Sequence, residues 1–118
     1  MIPKRGIVLP NGKNIKSYSA AVAHALHHEL GDTHRAIKTA MRWSGASERT
    51  VKNWFSGRSG PSGEHLIGLI QHSDYVLEVM LLLAGRPQVT VATKLIRARD
   101  QFAEILQRID RLVIAGRR

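Results

Sequence analysis

Residues 47–56 carry a dense set of hydrogen-bonding side chains: Ser47, Glu48, Arg49, Lys52, Asn53 and Ser56. On a helix, residues three and four apart share a face, so Arg49 with Lys52 and Asn53, and Asn53 with Ser56, fall on one side. The chemistry open to such a face is recognition by hydrogen bonds, with no bond broken. Arginine and lysine donate to guanine O6 and N7, asparagine pairs with adenine, glutamate accepts from cytosine N4, and serine serves either way. Arg35, Lys38 and Arg42 precede this run and Arg58 follows it. Those four suit phosphate contacts, which fix register without reading sequence. Glu48 is the only acid between Arg35 and Arg58.

Such side chains need a rigid carrier. Residues 37–57, IKTAMRWSGASERTVKNWFSG, read as a helix, a short turn and a second helix. Helix 34–42 or 34–43 turns Ile37, Ala40 and Met41 inward. Ser44-Gly45-Ala46 makes the turn, and a tight turn needs a residue that takes positive φ at no steric cost, as Gly45 does. Four positions before that glycine the helices must cross closely, and Met41 stands there. Ser47 caps the second helix. Val51 and Trp54, six and nine positions after Gly45, supply its inner side together with Phe55, and Gly57 ends it. The face opposite then carries Arg49, Lys52 and Asn53 outward. The N-terminus of this helix also attracts phosphate.

The remaining elements follow from periodicity and caps. Residues 17–30 form a helix with Val22, Leu26 and Leu30 at four-residue steps, capped by Ser17 or Ser19 and stopped by Gly31. Asp32 or Thr33 caps the next. After the Arg58–Pro61 loop, Ser62 caps a fourth helix with Leu66, Ile67, Leu69 and Ile70 as core. Ser73 caps a fifth, closed by Gly85, and Arg86-Pro87 is a break. Residues 89–115 read as one long helix. Val91, Leu95, Ala98, Phe102, Ile105, Ile109 and Leu112 alternate steps of four and three, a heptad seam sustained for about three heptads. Leu95, Phe102, Ile105, Ile109 and Leu112 are its candidate dimerisation residues. At the front, Ile7-Val8-Leu9 and Asn14-Ile15 flank Asn11-Gly12, which suits either a short hairpin or a basic arm. The organisation expected is an arm or hairpin over 1–16, a helical domain over 17–86 and a C-terminal helix over 87–118.

Composition bounds the partners. The 118-residue chain has a formal net charge of +9 and is 43% hydrophobic, so it builds one core and favours anionic partners. The charge is uneven: residues 1–16 hold four basic groups and no acid, while residues 62–85 hold three acids and no Lys or Arg. With no cysteine, disulfides and thiolate metal sites are excluded. No apolar run approaches the ~20 residues of a membrane span, and the N-terminus lacks the apolar stretch of a signal peptide. A cytoplasmic protein without membrane partners is expected.

Enzyme chemistry finds no footing. His24 and His28 share a helix face and His27 lies between them, but HExxH is absent and no ligand order emerges. These histidines read as structural or surface groups. Residues 57–63, GRSGPSG, lack the lysine-hydroxyl ending of a phosphate loop. The expectation is a non-enzyme without cofactor or metal.

The run GASERTVKNWFSGRSGPSGEHLIGLI resembles the Cro/C1-type, lambda-repressor-like helix-turn-helix family. Gly45, Ser47, Thr50, Val51, Trp54, Gly57, Pro61 and Leu66 match its pattern, while Ala46 and Met41 depart from it. The likeness covers residues 33–83. It implies an all-α, five-helix domain that binds double-stranded DNA operators, usually as a homodimer, and hence a small transcriptional regulator of a bacterium or a mobile genetic element. Two rival readings keep the fold: an adaptor (antiactivator) that binds another regulatory protein, and an architectural factor that directs recombination by bending DNA.

Overall fold

The computed structural model describes residues 7–8, 14–15 and 17–116. Two short strands, β1 (Ile7–Val8) and β2 (Asn14–Ile15), pair antiparallel with Ile7 opposite Ile15 and Val8 opposite Asn14. The Asn11-Gly12 turn lies outside the described residues. Val8 is exposed, whereas Ile15 is buried and joins the core.

Helix starts follow side-chain caps. The Ser17 hydroxyl accepts from the Ala20 N–H at 3.1 Å and opens α1 (Tyr18–Leu30). Thr33 does the same for α2 (His34–Ser44) through the Ala36 N–H, and Ser47 for α3 (Glu48–Phe55) through the Thr50 N–H. Each such cap satisfies a donor the helix cannot satisfy itself and contributes about 1 kcal/mol. Ser62 precedes α4 (Gly63–His72) in extended conformation but makes no side-chain cap bond. Ser73 is buried, ends α4 and caps α5 (Asp74–Leu83) through the Val76 N–H.

Two boundaries differ from the sequence expectation. α2 runs on to Ser44, because Gly45, at φ 78°, closes it with its N–H on the Met41 carbonyl. The long helix α6 (Pro87–Ala115) begins at Pro87 rather than after it. A first-turn proline loses no hydrogen bond and has the right φ, so the expected break is the helix start. The chain divides into two units there, Met1–Pro87 and Gln88–Arg118.

In the first unit, α1 packs on α3 and α5, α2 on α3 and α4, and α4 on α5. Trp54, Leu26, Leu69, Val22, Val51 and Val76 are the largest fully buried side chains. One expected core position moves, Ile67. On α2, Ile37 and Met41 are partly buried and pack against the core, and Ala36 and Ala40 are wholly enclosed. Alanines four apart make a flat stripe that lets neighbouring helices approach. Ile67 is 59% exposed. Its helix turns His65, Gly68 and Leu69 toward the domain, and Ile67 lies about 100° around from each neighbour, on the outer side. Gly68 explains the tight seat of α4. A Cβ there would fall 2.3 Å from the Trp43 carbonyl oxygen.

The second unit is α6 alone, and none of its side chains is buried. A single helix cannot cover its own seam: Phe102 is 62% and Leu112 73% exposed. Among the described residues no helix is long and apolar enough to cross a membrane.

Candidate nucleic-acid interface

The α2–turn–α3 unit is held from three sides. Below it, Val51 and Trp54 are sealed in the core. At the turn, the Ser44 hydroxyl donates to the Ala40 carbonyl at 2.7 Å and accepts from the Ala46 N–H at 3.2 Å. His65, reaching over from α4, donates through Nδ1 to the Ser44 carbonyl at 2.9 Å, with its ring 5.6 Å from that of Trp54. At the far end of α3, His27 of α1 donates through Nε2 to the Phe55 carbonyl at 2.8 Å and packs edge-on against the Phe55 ring. Its other nitrogen bonds the Asp32 carboxylate.

Burial of one side leaves the other to solvent. Arg49 is exposed and makes no hydrogen bond or ion pair among the described residues. Lys52 is also exposed, and Asn53 is half-buried with its backbone carbonyl accepting from the Arg58 and Ser59 N–H groups. Glu48 stands among cations. Its carboxylate lies 3.6 Å from Lys38 Nζ, 3.8 Å from Lys52 Nζ and 3.9 Å from His34 Nε2. These links tie α2 to α3 across the turn.

The two serines are less available than their positions promised. Ser47 Oγ caps the helix and donates to Thr50 Oγ1 at 2.9 Å, and Ser56 Oγ donates to the Asn53 carbonyl at 3.0 Å. Both hydroxyls are committed to the α3 backbone and its first turn. On α2, Arg35, Lys38 and Arg42 are exposed and line one shallow groove with Thr39 and Met41. Arg58 is exposed just beyond α3. The structure thus brings Glu48, Lys38 and Lys52 together and sets Arg35 and Arg42 on the same helix surface as Lys38. It leaves the side chains of Arg49 and Arg58 without a hydrogen-bond or ion-pair partner among the described residues.

Four positioning residues escaped the sequence reading. The Tyr18 hydroxyl donates to the Pro61 carbonyl at 2.7 Å, and a Cβ on Gly60 would meet the Tyr18 ring at 2.3 Å, so the loop carrying Arg58 is clamped onto α1. Burial raises the Tyr18 pKa above the ordinary phenol value. His27 and His65 hold the two ends of the α2–turn–α3 unit. His34 completes the Glu48 cluster. A histidine gives no periodic signal, and its partners here lie up to 28 residues away.

The remaining histidines pack against aromatic rings. His24 Nε2 bonds the Tyr75 hydroxyl at 2.7 Å, and His28 stacks on the Tyr75 ring at 3.8 Å between centroids. His24 and His28 do share a face, as their spacing requires, and that face is directed at α5. Burial, and secondarily the charge of Glu78, raises the Tyr75 pKa.

No protein-family model, curated protein or solved structure matches the chain.

Proposed function

We propose that this chain binds double-stranded DNA sequence-selectively. In this reading α2 and α3 are the helix-turn-helix of a lambda-repressor-like domain, and α3 lies in the major groove. One observation carries the reading: the α3 side opposite the buried Val51 and Trp54 presents Arg49 and Lys52 to solvent. Exposed arginine and lysine on a short helix held rigidly at both ends is the arrangement that reads guanine edges. Asn53 and Glu48 are the further base-reading candidates. Arg35, Lys38, Arg42 and Arg58 contact phosphates and set the docking angle. The net charge of +9 supplies the long-range attraction.

The biological role that follows is a transcriptional regulator of a bacterium or one of its mobile elements, working in the cytoplasm. Pairing of two chains through α6 places two readers on one DNA, which raises affinity without a new base contact.

A footprint of the purified protein on the DNA upstream of its own coding sequence tests the reading. A protected site is expected, with binding that weakens steeply as salt rises. Arg49→Ala and Lys52→Ala each lose about 1–3 kcal/mol of specific binding where the residue makes a bidentate contact. Full affinity in both variants overturns the assignment of α3. No DNA binding even at low salt overturns the DNA reading and leaves the adaptor. Strong bending with little sequence preference identifies the architectural factor.

A further inference from the structure

The exposed seam of α6 is not symmetric along its length, and that asymmetry selects how two copies meet. The a positions of its heptads are Leu95, Phe102 and Ile109, and the d positions are Val91, Ala98, Ile105 and Leu112. In a parallel, in-register pair every layer joins identical residues. Ala98 would face Ala98 and leave a void, while in the next layer Phe102 would face Phe102 and crowd. Cores reject both faults, a void and an overpacked layer alike.

Running antiparallel, with Phe102 of one chain opposite Ile105 of the other, the same residues interlock. Ala98 then faces Ile109, and Leu95 faces Leu112. No layer then pairs alanine with alanine or phenylalanine with phenylalanine, so the spread between the smallest and the largest layer is narrower than in the parallel pair, as facing core positions require.

The flanking charges select the same arrangement. Lys94 and Arg108 hold g positions and Arg99 an e position beside the seam, and no acid occupies an e or g position anywhere along it. The acids Asp100, Glu104 and Asp110 lie at f, c and b, where Glu104 pairs with Arg108 of its own helix at 2.9 Å and Asp100 with Arg99 at 3.5 Å. A parallel pair sets Lys94 against Arg99 of the other copy, twice. The antiparallel pair sets Arg99 against Leu106, Lys94 against Ala115 and Arg108 against Gln101, so no like charges meet.

We infer that α6 binds a second copy of this chain as an antiparallel two-helix coiled coil centred between Phe102 and Ile105. The inference rests on the pairing through α6 proposed above and is independent of what α3 binds. It has a geometric consequence. The two Pro87 residues stand about 50 Å apart along the pair, at opposite ends, whereas a parallel pair would hold them about 10 Å apart.

The chain has no cysteine, so single cysteines report orientation cleanly. Full-length Ala98→Cys and Ile109→Cys proteins are mixed without DNA and oxidised. The antiparallel pair gives the mixed 98–109 disulfide as the dominant product, and neither variant cross-links to itself. Spin labels on full-length Thr93→Cys, at an f position off the seam, should lie about 32 Å apart along the axis. Self-cross-linking of Ala98→Cys, or a Thr93 label separation at the parallel distance, overturns the orientation and leaves pairing in place. A monomer at tens of micromolar in sedimentation, with α6 satisfied within its own chain or by another protein, overturns the pairing as well. Neither result bears on DNA binding by α3.

Discussion

His27 on α1 donates through Nε2 to the carbonyl of Phe55, the last residue of α3, across 2.8 Å. That carbonyl belongs to the set every helix leaves unpaired at its C-terminus, so the proposed recognition helix is tethered where it would otherwise fray. Asp32 holds the other ring nitrogen. The tether is at the opposite end of α3 from Arg49, and its hydrogen bonds go to Phe55 and Asp32.

His27→Ala should therefore cost about 1 kcal/mol of stability, the net worth of a part-exposed hydrogen bond. For a domain of this size that lowers Tm by about 4–8 °C. DNA affinity should fall at all sequences together, because α3 is less well held while its base-reading side chains remain. Calorimetry and binding to specific and scrambled duplexes check this. Loss confined to the specific duplex would place His27 in base reading instead.

The Glu48 cluster gives a prediction of opposite sign. Glu48→Gln releases Lys38 and Lys52 from their carboxylate. Both lysines are more than half exposed, so stability should change by less than about 1 kcal/mol. Non-specific DNA binding should tighten, and the slope of log K against log salt should steepen by about 1 or 2, one increment for each lysine freed to meet a phosphate. Fluorescence anisotropy at several salt concentrations measures it. An unchanged slope means the two lysines do not face the backbone.

Gly68 is a packing residue with a backbone neighbour. A Cβ there would stand 2.3 Å from the Trp43 carbonyl oxygen and 3.2 Å from Ser44 Cα, and neither atom can swing aside as a side chain would. Gly68→Ala must therefore push α4 away from the end of α2, although alanine is the better helix former. The cost expected is about 1–3 kcal/mol, against a gain of about 1 kcal/mol in helix propensity. Urea unfolding decides the balance. A stabilised variant would show that α4 sits further from the turn.

The positions legible in the sequence were those with a local cause. Ser17, Thr33, Ser47 and Ser73 cap because their hydroxyls reach an N–H three residues on. Gly45 turns because it alone at that place takes φ 78° freely. Val51 and Trp54 are buried because the outer face of α3 is polar. What escaped depended on distant partners. Ile67 looked like core beside Leu66, yet which arc of α4 faces inward is decided by Gly68 against Trp43. The clamps by Tyr18, His27 and His65 span 43, 28 and 21 residues, and no periodicity encodes a bond of that length. Ser47 and Ser56 were on the expected helix, but their hydroxyls serve its backbone.

Tyr18 offers a pH test of the loop that carries Arg58. Its hydroxyl donates to the Pro61 carbonyl at 2.7 Å, and burial raises its pKa above the ordinary value of about 10. Below that value the tyrosine is protonated in both the folded and the unfolded chain, and its contribution to stability is complete. As pH rises past it, the unfolded chain gives up the proton first while the folded chain still holds it, so the folded state loses its advantage until the folded pKa is passed. Tyr18→Phe removes the hydrogen bond and the titration together. At neutral pH the variant should be less stable by about 1 kcal/mol. Above pH of about 10 the gap to wild type should narrow, because only the wild type is losing the Tyr18 contribution. Tyr75, also raised, is common to both proteins and cancels. Urea midpoints measured from neutral pH into the alkaline range check the trend. A gap that stays constant with pH would mean the Tyr18 hydroxyl is solvated and the loop is not clamped by it.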